Sequence, residues 1–93
     1  MNKLPEAFSA RVSIRNELGL HARPAARIAE IARTAKRKVW ITKGHEKVDA
    51  SSIIDLLTLA AFMGTELTLH IEDPEDRDVM ERILALIENG FGE

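Results

Sequence analysis

Cysteine is absent from the 93-residue chain. That absence excludes a disulfide framework, thiolate metal ligation and thiol redox chemistry, and leaves the core alone to hold the fold. Long apolar runs are also missing. No stretch approaches the roughly 20 residues needed to cross a bilayer, and the opening MNKLPEAFSA lacks the apolar segment of a secretory signal. A cytoplasmic protein with no membrane insertion is therefore expected. Aromatic residues make up 4% of the chain, and Trp40 is the only one inside its basic stretch. With a formal net charge of -2, this scarcity argues against nucleic acid as a partner.

What is present describes a globular chain of 45% hydrophobic and 30% charged residues, long enough for one domain over 1–93 and too short for two. Charge is segregated along it. Between His21 and Lys47 stand Arg23, Arg27, Arg33, Lys36, Arg37, Lys38, Lys43 and Lys47 against Glu30 and Glu46, whereas from Glu66 onward nine acids face only Arg77 and Arg82. Such a split predicts a basic face for an acidic partner or a phosphate, with the acidic C-terminal helix placed elsewhere.

Phe8, Ala10, Val12 and Ile14 alternate with polar neighbours, which predicts a strand with one wet face. Ala25, Ile28, Ala29, Ala32 and Ala35 mark a helical stripe from about 22 to 35. Lys38 to Lys43 and Lys47 to Ala50 predict a hairpin around Gly44 and His45. Ser52 with Asp55 three residues on predicts a capping box opening a short helix, in which Ile53 and Leu56 point inward. Glu66 to Glu72 alternates again. Asp73-Pro74 then starts a last helix, whose stripe Val79, Met80, Ile83, Leu84 and Ile87 stops at Asn89-Gly90. The order βαββαβα fits an α+β, open-faced β-sandwich: a four-stranded antiparallel sheet with three helices on one face.

Of the three histidines, His70 falls on the wet side of its strand and His45 in a turn, so both are expected to be surface residues. No histidine has the spacing of a metal ligand set, and no metal site is expected. His21 is different. In GLHARPAARIAE it takes the N-cap position, with Pro24 in the first turn, where a missing N–H costs nothing. The amides of Ala22, Arg23 and Ala25 then point toward it, and a helix N-terminus with free donors suits an anion such as phosphate. Arg23 adds a fork of donors that fits phosphate oxygens. An imidazole in this positive field is expected to stay neutral, and a neutral ring nitrogen is a nucleophile.

GLHARPA, with His21, Ala22, Arg23, Pro24 and Ala25, resembles the active-site signature of the HPr family, the histidine-containing phosphocarriers of the bacterial phosphoenolpyruvate-dependent phosphotransferase system. VDASSIIDLLTLAAFMGTELTL resembles the family's second signature, and the likeness runs from about Phe8 to Gly90. The resemblance implies an HPr-like fold, no bound cofactor and a monomer. It also implies that His21, through Nδ1, takes a phosphoryl group from phospho-enzyme I and passes it to EIIA-type domains, with Arg23 attending the phosphate. Ile54, Leu57 and Arg27, with Arg33, would form the docking surface, and Ser52 matches the serine that a kinase phosphorylates in part of the family. Asp55 departs from the glycine common there, and its charge would repel a serine phosphate. Glu30 and the bulky Phe62-Met63 depart too, which bears on partner identity. Two classes stay open: a relay, serving sugar uptake or a nitrogen-related branch, and a regulatory module whose phosphorylation at His21 or Ser52 is read without onward transfer. An independent enzyme is not expected, because neither base, metal set nor pocket is visible around His21.

Overall fold

Strand β1 (Ser9–Ser13) carries its alternation into the structure: Val12 is buried, Ala10 packs at the core margin and Arg11 is exposed. A computed structural model describes residues 8–93, so residues 1–7 of the expected domain lie outside the described residues. Helix α1 (Ala22–Ala32) follows, then the hairpin β2 (Val39–Lys43) and β3 (Glu46–Asp49). Helix α2 (Ile53–Thr58), β4 (Glu66–Ile71) and α3 (Arg77–Glu88) complete the order. The four strands form one sheet in the order β1-β4-β2-β3, and every neighbouring pair is antiparallel.

The register places Ala10 beside Leu69, Leu69 beside Ile41 and Ile41 beside Val48, an apolar row across the sheet. All three helices cover that face, with Ile28 and Ala29 of α1, Leu56 of α2 and Ile83 and Ile87 of α3 fully buried against it. Each fully buried Ile or Leu contributes about 1.5–3 kcal/mol, enough to dispense with cross-links. The opposite face bears Arg11, Trp40, Thr42, Lys47, Thr68 and His70, all exposed or half-buried. In the hairpin, Lys43 pairs with Glu46 across Gly44 and His45, and Gly44 supplies the positive φ (+59°) that a two-residue turn requires at its first central position.

Several expectations are corrected. Helix α1 ends at Ala32, not 35, because the backbone tightens: Thr34 and Ala35 donate to Ile31 and Ala32, and the Thr34 hydroxyl also donates to the Ile31 carbonyl. Ile53 is only half-buried, while Leu56 is fully inside. His70 is half-buried rather than solvated, since β4 is an interior strand and Trp40 stands directly across from it on β2. Charge segregation in sequence is not kept in space. The loop after α1 is pinned by Asp76, whose buried carboxylate accepts the Lys36 and Arg37 amides at 2.8 and 3.0 Å, and the Lys36 ammonium bonds Glu75. Basic and acidic segments thus meet, and no helix is long and apolar enough to cross a membrane among the described residues.

Candidate functional site

Backbone stitching places His21. After β1, Ile14 donates to Thr65 O at 2.9 Å and accepts from Gly64 N–H at 2.7 Å, and Leu20 then donates to Ala61 O at 2.9 Å. Gly19 lies between with φ +68°, and a Cβ there would stand 2.6 Å from Ala61 O and 3.0 Å from Phe62 Cα. Only glycine fits this approach. The next residue that caps α1 is His21, with extended backbone (φ −88°, ψ −172°) and no side-chain cap bond. Its ring is therefore available for other work.

The helix start agrees with the sequence in part. Ala22 and Arg23 present amides with no acceptor among the described residues, and Pro24, buried, has no N–H to lose. Ala25 is the exception. Its N–H donates to His21 O at 3.0 Å and the residue is fully buried, so the expected third phosphate donor is consumed by the first intrahelical bond. Arg23 is exposed and has no hydrogen-bond or ion-pair partner among the described residues, which leaves its fork free for an anion.

Glu93 and Asn16 belong to the site as well, although no sequence spacing announces them. Glu93 Oε2 lies 2.8 Å from His21 Nε2, and Glu93 Oε1 accepts from Asn16 Nδ2 at 2.9 Å. Asn16, buried beneath the loop, also donates to Gly19 O at 2.8 Å. Hydrogen bonds from Asn16 first and His21 second hold the Glu93 carboxyl below the usual carboxylate range. An ionised carboxylate only accepts, so Nε2 is the ring's donor and Nδ1 carries the lone pair of the neutral ring. The Glu93 charge adds to the ring's surroundings an element that the helix end alone did not suggest. Phe91, buried with φ +58°, and the bond of 2.7 Å from Arg27 Nη1 to Phe91 O fix the segment that delivers Glu93. Arg27, expected at a docking surface, thus holds this segment, while Arg33 is exposed.

Several large apolar side chains are exposed to solvent. Ile54 and Leu57 are 75% and 39% exposed, and Leu18, Phe62 and Met63 are exposed as well. Phe62 follows the Ala61 carbonyl that binds Leu20, so it stands beside the His21 loop. Ser52 caps α2: its hydroxyl accepts the Asp55 N–H at 3.1 Å. The expected box is half-formed, because the Ser52 N–H donates to Asp49 O instead of the Asp55 carboxylate.

Residues 8–89 match the family model described as "PTS HPr component phosphorylation site". The chain is 40% identical over 81 residues to the phosphocarrier protein HPr of Cupriavidus necator, covering 87% of this chain and 91% of that protein. It is 34% identical over 85 residues to the phosphocarrier protein NPr of Proteus mirabilis, covering 89% and 93%. Among solved structures, HPr-C-His from Thermoanaerobacter tengcongensis superposes with a TM-score of 0.85 at 33% identity, covering 91% of this chain and 96% of that one.

Proposed function

The chain belongs to the HPr family, the phosphocarriers of the phosphotransferase system, and from that premise we propose that His21 is its phosphoryl acceptor. It is a carrier, not an enzyme in its own right. The observation that carries the assignment to His21 is the pairing at the head of α1: a ring fixed through Nε2, with Nδ1 left as nucleophile, next to two free amides and the uncommitted Arg23. Phospho-enzyme I is the donor and a histidine of an EIIA-type domain the acceptor. Phosphoryl transfer asks a carrier chiefly for position and charge stabilisation, and this site supplies both. Two amides and one guanidinium form a shallow well, from which the group leaves again.

Ile54 and Leu57 with Leu18, Phe62 and Met63 form the docking surface, its rim charged by Arg23 and Arg33. The relay is favoured over a module read through Ser52, because Ser52 has a sufficient role as a helix cap and a reader of Ser52 alone has no use for the arrangement at His21. Incubation with phosphoenolpyruvate, magnesium and enzyme I tests the reading. Label stable to alkali and lost in acid is expected on wild type and absent from His21→Ala; equal labelling of the two overturns it. Discharge of that label by added EIIA proteins separates a relay from a regulatory module.

A further inference from the structure

Just past α2 stands a carbonyl that no backbone amide reaches among the described residues. The Leu59 and Ala60 amides turn back to Leu56 O and Leu57 O, both at 3.2 Å, which closes the helix and leaves Leu59 O over. The Lys43 ammonium, at the end of β2, donates to it at 2.8 Å in a half-buried bond. Lys43 forms no ion pair among the described residues, so this carbonyl is where its charge is engaged. A cationic donor at a helix C-terminus is favoured twice, by the strength of the bond and by the negative end of the helix.

We infer that Lys43 is a positioning residue for partner docking, holding from the sheet the segment that joins the exposed apolar side chains to the His21 loop. The inference rests on His21 being the phosphoryl acceptor. Beyond Leu59, Ala60 takes a left-handed backbone (φ +49°), which a residue with a Cβ keeps only where its neighbours hold it. Ala61 O then accepts the Leu20 N–H at 2.9 Å, one residue before His21, and the exposed Phe62 follows. Lys43 therefore grips one side of the Ala60 turn and Leu20 the other. Strand β2 is interior to the sheet, which gives the lysine a firm base. Without its bond the segment spends less time in the arrangement a partner meets, and apparent affinity falls by that fraction. Once the partner is seated, its own contacts order the segment, and the transfer step is unchanged.

Lys43→Met keeps the side chain's apolar stem and removes its donor; Lys43→Arg keeps charge and donors. In the free protein, hydrogen exchange of the Leu20 amide is expected to quicken roughly tenfold in Lys43→Met, the scale of one hydrogen bond from a charged group. Sheet amides such as that of Leu69 are expected to keep their protection. With phospho-enzyme I as donor, the KM for Lys43→Met is expected to rise by a similar factor at unchanged kcat, and Lys43→Arg to restore both readouts. Three results overturn the role: an unchanged KM, a raised KM with Leu20 exchange as in wild type, which makes Lys43 a direct partner contact, or protection lost evenly across the sheet, which makes it merely structural. Failure of wild type to take label at His21 overturns the carrier assignment instead, and the Leu20 exchange then tells that failure from a fault in the Lys43 link.

Discussion

Arg23 projects from the first turn of α1 without a protein partner among the described residues, so truncating it takes charge from the site and nothing from the core. Arg23→Ala is expected to keep the thermal midpoint of wild type while slowing phosphoryl transfer about tenfold. A circular dichroism melt beside a transfer assay checks both halves. Gly19 behaves in the opposite way. A methyl group there meets Ala61 O at 2.6 Å in a left-handed backbone, so Gly19→Ala is expected to cost about 1–3 kcal/mol in urea unfolding and to shift the His21 loop. At this scale the sequence revealed what is local: a histidine, an arginine and a proline within four positions define a helix mouth. It concealed Glu93, which lies 72 residues from His21 and reaches it only through the fold. Ala25 is hidden from the sequence for a related reason, since counting free amides requires knowing where the first intrahelical bond closes.

At the scale of elements, α2 separates a buried face from an exposed apolar one within six residues. Leu56→Ala, at a fully buried position, is expected to cost about 2–5 kcal/mol. Ile54→Ala, at a position 75% exposed, is expected to leave stability nearly unchanged and raise the KM for enzyme I, which steady-state phosphorylation against a denaturation series separates. Ser52→Ala removes the cap bond to the Asp55 amide and is expected to cost about 1 kcal/mol. Helical periodicity made α2 and its exposed side legible in advance. The end of α1 was less so, because apolar Ala35 prolongs the pattern after Thr34 has diverted the hydrogen bonds. Ile53 shows the same limit: a six-residue helix buries too narrow a stripe for periodicity to rank its edges.

On the scale of the molecule, acid is expected to loosen the fold in two stages. Burial, and then the Lys47 charge, hold His70 below the ordinary imidazole value of 6.5. The unfolded chain therefore binds that proton more readily, and stability present above 6.5 declines as pH falls through the folded value. His70→Gln is expected to flatten that first stage in urea midpoints measured between about pH 5 and 7. Trp40 and Glu72 share the recess with His70 and Lys47, but Glu72 is already engaged by the Trp40 indole at 2.9 Å. The second stage belongs to Asp49 and Glu93, both held below the ordinary carboxylate range. For Asp49, burial works against ionisation, but hydrogen bonds from Ser51 and Lys38 outweigh it. Their contribution is lost as pH falls below about 4. The alternating strands showed which sheet face would be wet, yet not that its centre would gather Trp40, Lys47 and His70, because that gathering depends on the strand order β1-β4-β2-β3.

Trp40 is the chain's single tryptophan, and it lies on the sheet face turned away from the helices, beneath the Lys47 ammonium at 4.6 Å. The protein's intrinsic fluorescence is consequently a gauge of the sheet and of the nearby His70 charge, not of events at the helix layer. A spectroscopist would see unfolding and acid clearly by emission, while a partner settling over Phe62 and Ile54 would leave the signal still.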